Sequence, residues 1–178
     1  MHLKTFLAAI ALMLGGISAA HAQDFGFQVS NGLTLEQVVV TQGSATSAPS
    51  TLSETGSSGV IAQSGEDNSA VSSIADSQGA GTLVLQQGNV NTAVAVIENS
   101  PGSAIAQAQL GSDNYAAAAI IGGSANGIAT AQIGNSLSNS VALVDSVGTM
   151  VVYGQAGQGY SGGIVVRNAP RGTIVRLN

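Results

Sequence analysis

Downstream of residue 57, apolar residues come in short runs of six or seven, broken by stretches of Gly, Asn, Ser and Pro. Residues 92–98 form one run, Asn99, Ser100, Pro101 and Gly102 interrupt it, and residues 104–109 form the next. Runs of this length rich in Val, Ile and Ala, bounded by turn residues, predict β-strands. Ala is a mediocre strand former, so helix competes for the Ala-rich stretch 115–121. The glycine spacing leaves no segment longer than about ten residues, which is too short for a helix to be stable alone. Pro101 and Pro170 fall in the second turn, where a missing N–H costs nothing.

The pattern repeats. Gln63, Gln86, Gln109, Gln132 and Gln155 stand 23 residues apart, and each is followed two residues later by Gly65, Gly88, Gly111, Gly134 or Gly157. A fixed period of this length is the signature of a stacked repeat protein. With Gln as position 0, the repeats are 63–85, 86–108, 109–131, 132–154 and 155–177, and Asn178 falls on the next position 0. Position 5 carries Asn68, Asn91 and Asn114, then Leu137 and Tyr160; position 7 carries Ala70, Ala93 and Ala116, then Asn139 and Gly162. Position 11 is aliphatic throughout: Ile74, Ile97, Ile120, Leu143 and Val166. Position −4 adds Thr82, Ile105, Ile128, Val151 and Ile174, and position 16 holds Gly79, Gly102 and Gly148, with Gly56 upstream.

Two strands and two turns per repeat describe one rung of a β-solenoid. The expected fold is therefore all-β, with about five 23-residue rungs and a thin two-sheet core. Rungs stack about 4.8 Å apart, so equivalent positions form columns. The glutamine amides can donate to one neighbouring rung and accept from the other, and the asparagines form a shorter ladder. Glycine at position 2 suits a bend with positive φ, with Asn expected in the left-handed region after it. Position 11 supplies a dry aliphatic core column.

Residues 1–22 read as a secretory signal peptide: Lys4, an apolar run over 6–17, and the small-residue motif Ala20, His21, Ala22. The apolar run is too short to span a bilayer comfortably. Residues 23–56 read as a flexible arm or degenerate cap. Val38, Val39 and Val40 are its one strand-like run, with Val40 on the 23-residue grid and Pro49 opposing a further rung. The repeat solenoid occupies 57–178. Cleavage of the leader would remove both histidines and the only lysine, leaving nine acidic residues against Arg167, Arg171 and Arg176, a net charge of −6. An acidic body argues against nucleic acid as a partner. There is no cysteine, so stability rests on packing and hydrogen bonds rather than disulfides.

The string Gln-x-Gly-x-x-Asn-x-Ala, written out at 63–70, 86–93 and 109–116, resembles the repeat of the curlin family, the subunits of the curli amyloid fibres of bacterial biofilms. Leu137, Tyr160, Asn139 and Gly162 depart from it in the last two repeats. Ile74, Ile97, Ile120, Leu143 and Val166 stand where the family usually has a second Gln, and only Ser57 and Ser103 match its favoured Ser six residues before the first. The resemblance implies an extracellular fibre subunit that passes an outer-membrane pore and assembles with copies of itself, related curlins and secretion and assembly factors. It also implies a role in biofilm matrix and surface adhesion, as bulk subunit or as nucleator and anchor. The repeat itself offers no evident closing cap, and an uncapped edge strand templates another copy.

Other chemistry finds little footing. The arginines can be a solvated end, a deterrent to edge pairing, or a contact for an acidic partner or membrane surface. Asp76, Asn99, Asp145 and Asn168 share position 13, and turn chemistry accounts for them better than a calcium site. Without His, Cys or Lys the repeat region lacks the commonest bases and nucleophiles, and Glu66 and Asp67 recur only as Asn89, Val90, Ser112 and Asp113. We therefore expect no enzyme, cofactor, metal or small-molecule substrate. A monomeric solenoid adhesin or ice-binding module is the alternative, although an ice-binding face wants a Thr array and position −4 offers only Thr82.

Overall fold

The computed structural model describes residues 56–178 throughout, and upstream only the backbone strands β1 (Phe25–Val29), β2 (Glu36–Gln42), β3 (Thr46–Ser47) and β4 (Thr51–Leu52). The expected signal peptide, and the expected arm apart from these strands, lie outside the described residues.

Each 23-residue repeat folds as two strands that leave in opposite directions from a tight turn. The rungs are β5 (Ser58–Ser64) and β6 (Ser69–Ala75); β7 (Gly81–Gln87) and β8 (Thr92–Glu98); β9 (Ala104–Leu110) and β10 (Tyr115–Ser124); β11 (Gly127–Asn135) and β12 (Ser138–Val147); β13 (Met150–Gln158) and β14 (Ser161–Arg167). A final strand, β15 (Ile174–Leu177), opens a further rung. The odd-numbered strands from β5 form one parallel sheet and β6, β8, β10, β12 and β14 the other. Gln63 pairs with Gln86, Gln86 with Gln109, Gln109 with Gln132 and Gln132 with Gln155, so the sequence period is the pairing register. The Ala-rich stretch of the third repeat is strand β10, not helix. The protein is an all-β, two-sheet parallel solenoid of five rungs.

Inward and outward residues alternate along each strand. Ile74, Ile97, Ile120 and Leu143 are fully buried in one column, and Val166 packs on its end partly exposed. Ile105, Ile128 and Val151 face them from the other sheet. Burial of each such side chain contributes about 1.5–3 kcal/mol. The remaining inward positions are mostly small, as at Ala93, Ala95, Ala116 and Ala118, which keeps the sheets close.

The first turn depends on glycine. At position 2, φ runs from 114° at Gly65 to 138° at Gly134. A Cβ on Gly65, Gly88 or Gly111 would lie about 2 Å from the carbonyl oxygen of the glycine in the next rung. The left-handed residue of this turn is at position 4, not at the asparagines: Asp67, Val90, Asp113 and Ser136 have φ of 52–58°. At position 13, Asp76, Asn99, Asp145 and Asn168 all have φ near 50°, the conformation that short polar side chains tolerate best.

Register departs from the sequence grid at both ends. β2 pairs in parallel with β5 at a 22-residue offset, so Thr41 rather than Val40 meets Gln63. β15 pairs with β13 at a 24-residue offset: Ile174 meets Met150, and Val175 meets Val151. The expectation that Ile174 joins the core column is therefore corrected. Ile174 is exposed and Val175 packs against the core, because one extra residue enters around Gly172 and Thr173. The same offset moves Asn178 off position 0. The two ends also differ in kind. In one sheet β1 lies antiparallel on β2 at the early edge and β15 forms the late edge; in the other the short parallel strands β3 and β4 flank β6 and β14 forms the late edge.

Candidate functional site: stacked side-chain ladders and an open edge

The glutamine column lies between the sheets. Gln63 Nε2 donates to Gln86 Oε1 at 2.6 Å, Gln86 to Gln109 at 2.7 Å, Gln109 to Gln132 at 2.9 Å and Gln132 to Gln155 at 2.8 Å. Each amide from Gln86 onward also donates across the core, to the carbonyls of Ser69, Thr92, Tyr115 and Ser138 in turn. Each amide thus joins two rungs and two sheets. The ladder has a direction: every Nε2 points toward the later rung. Gln63 Oε1 has no partner among the described residues, and Gln155 Nε2 donates instead to Ser138 and to the Tyr153 hydroxyl.

The asparagines work on backbone. Asn68 Oδ1 accepts the N–H of Asn91, Asn91 Oδ1 that of Asn114, and Asn114 Oδ1 that of Leu137. Their Nδ2 atoms donate to the carbonyls of Gly88, Gly111 and Gly134 at 2.6–2.8 Å. Each Asn therefore ties its turn to the glycine turn of the next rung. The ladder ends at Leu137, which is buried but has no polar group, and Tyr160 after it is exposed.

A second set at the opposite turn was not anticipated from the residues. Ser77 Oγ donates to Ala75 O and accepts the Ser100 N–H; Ser146 Oγ does the same between Val144 and Ala169. Asn126 accepts the Thr149 N–H and donates to Ser146 O, the bonding scheme of the first-turn asparagines. The signal was present, since Ser77, Ser100 and Ser146 lie on the 23-residue spacing with Gly123 between them.

Polar groups also sit inside the core. Thr82 is buried and its hydroxyl bonds that of Ser72, so it is no part of a surface threonine array. Gln107, Thr130 and Asn139 are buried with side-chain atoms that lack partners among the described residues. Tyr153 enters the core at the fifth rung because Gly162 leaves room: a Cβ there would lie 2.1 Å from the Tyr153 hydroxyl.

Arg167, Arg171 and Arg176 are exposed at the late end of the stack. Among the described residues no group of three His, Cys, Asp or Glu is placed to hold a metal ion. Among the described residues the late end exposes two edge strands, β15 in one sheet and β14 in the other, and β14 is the longer. The Ser138 N–H donates forward to Tyr160 O and the Asn168 N–H donates back to Val144 O. Alternation along β14 therefore directs the N–H groups of Ser161, Gly163 and Val165 away from β12. The fold and its ladders define a self-stacking parallel β-solenoid. No family model, curated protein or solved structure matches the chain.

Proposed function

We propose that the chain is a structural subunit of a secreted, curli-type fibre, growing by addition of copies of itself to an open solenoid end. The observation that carries this reading is the late edge. β14 offers a row of unpaired backbone groups above columns that already stack in register through five rungs. An incoming chain with the same period would satisfy that backbone and extend the aliphatic column. At the opposite end one sheet presents antiparallel β1, whose hydrogen-bond spacing does not match a parallel rung, and the sheet of β14 presents only the two-residue strands β3 and β4, so growth is assigned to the late end. Secretion, a place in the biofilm matrix, and related curlins and outer-membrane factors as partners follow from the leader and from the family resemblance.

A nucleator or surface anchor of such fibres is the second reading. Its support is the altered fifth rung, where Tyr160 and Gly162 replace Asn and Ala beside three exposed arginines. The test is to purify residues 23–178 under denaturant, dilute, and follow thioflavin fluorescence with fibre imaging. Fibres with a cross-β signature are expected, and a persistently soluble monomer overturns both readings. Efficient seeding of a curlin with complete repeats, by a chain that elongates poorly alone, would favour the nucleator.

A further inference from the structure

The outward face of β5, β7, β9, β11 and β13 carries no charge; the first charge on that side is Arg176 of β15, beyond the fifth rung and beside Val152. Its two central columns lie one and three residues before each repeated Gln, and all ten of their residues are Val, Leu, Ala or Gly. Alternation with a solvated face would put polar residues there. The outward face of the other sheet carries two in its central columns, Ser73 and Ser140, and charges at its strand ends, Glu98 and Arg167. In-register stacking makes the apolar columns straight and the face low in relief. The relief that remains is uneven: Leu83 and Leu85 stand out on the second rung, whereas Ala106 and Ala108 on the third and Ala129 and Ala131 on the fourth leave a shallow hollow.

We infer that this face pairs with the same face of a second copy, the two solenoids running antiparallel about a two-fold axis along the third rung. That axis keeps each column opposite itself and sets the second rung against the fourth. Leu83 of each copy then meets Ala129 of the other, Leu85 meets Ala131, and Ala106 and Ala108 meet their own counterparts. A parallel pairing would instead set the second-rung leucines against each other and leave the alanine rungs facing across a gap. A seven-residue strand width over five rungs gives a face of roughly 500 Å² per copy. The pair buries about 1,000 Å², the lower bound of a specific contact. In a fibre each added subunit adds the same area, so paired filaments hold more firmly than paired subunits.

This inference shares a self-associating subunit with the fibre reading but does not need a fibre. Sedimentation of the refolded chain reads the pairing alone, and mass per length of filaments reads it in the fibre. We expect a reversible dimer, and filaments with two chains in cross-section. Ala108→Lys, which sets two charges against each other on the axis, should weaken the dimer at least tenfold. Its filaments should be one chain thick and grow at an unchanged thioflavin rate. Leu83→Lys and Ala129→Glu should each lose pairing and regain it when separately prepared filaments or subunits are mixed. The regain requires the antiparallel arrangement and shows that both variants fold. A dimer without fibres would leave the pairing standing and overturn the fibre reading. Fibres one chain thick from an unpaired subunit, or pairing unmoved by Ala108→Lys, would overturn the inference. Adsorption to neutral lipid vesicles without self-pairing would assign the face to a membrane instead.

Discussion

Val90 is the residue most at odds with its place. It occupies the left-handed position of the first turn with φ 58°, where its counterparts are Asp67, Asp113 and Ser136. Branching at Cβ makes that region costly, by about 1–2 kcal/mol. Val90 is half exposed, so its side chain gives little in return. Val90→Asn is expected to raise stability by about 1 kcal/mol, read from the denaturant midpoint of the refolded subunit. Glycines divide in the same terms. Gly102 has φ 67° with open space around a new Cβ, and Ala125 already fills the equivalent place in the next rung. Gly102→Ala should cost about 1 kcal/mol. Gly111→Ala cannot be absorbed, because its Cβ would lie 1.9 Å from Gly134 O; a loss of about 3 kcal/mol or more is expected in the same measurement. The need for glycine at position 2 was legible, since a residue with no side chain that recurs five times can be demanded only by backbone geometry. The role of asparagine was legible only in part. Its recurrence marked it, but whether it bends the chain or ties two turns together depends on which neighbour turns left-handed, and that neighbour varies in type, from Asp67 to Val90 to Ser136.

Strand against strand, the period carried nearly all the information. Parallel in-register pairing follows once every rung has the same length, because any other register would bury turn residues and expose the Ile97 column. The glutamine ladder followed too, but its second bond, across the core to the carbonyl of the facing strand, needed the sheets to be close. Gln109 has both bonds, so Gln109→Ala strands the donor of Gln86 and the acceptor of Gln132 in a buried site. Each such group costs about 1–3 kcal/mol. A stability lower by roughly 2–6 kcal/mol, read from the denaturant midpoint, is expected, together with a longer thioflavin lag. An unchanged lag would mean that the amides stabilise the finished stack without directing its assembly. The serine ladder of the second turn is hidden in the sequence because Gly123 breaks it, and Asn126 because its column changes residue type at each rung, from Ser103 to Asn126 to Thr149. The extra residue near Gly172 is hidden because a one-residue offset leaves the sequence spacing of the repeat untouched while turning Ile174 outward.

Taken as one body, the solenoid is asymmetric, with an antiparallel strand beyond one end and β14, paired on one side only among the described residues, at the other. Proline at Val165 should test which end grows. It removes an N–H directed away from β12, so the subunit's own ladder keeps its bonds. Val165→Pro is expected to slow elongation at least tenfold while far-ultraviolet circular dichroism of the refolded subunit stays unchanged. Growth at the wild-type rate would move the growing end elsewhere. The one-residue offset of β15 has a consequence of its own. A filament of these subunits cannot be a uniform lattice of rungs, because each molecule brings displaced strands, β15 at one end and β2 at the other, among regular ones. Fibre diffraction should therefore show, besides the rung reflection near 4.8 Å, weaker meridional orders of a longer axial repeat set by one molecule, roughly 25–30 Å for five or six rungs. The irregular strands would act as a molecular ruler mark, dividing an otherwise continuous stack into countable subunits.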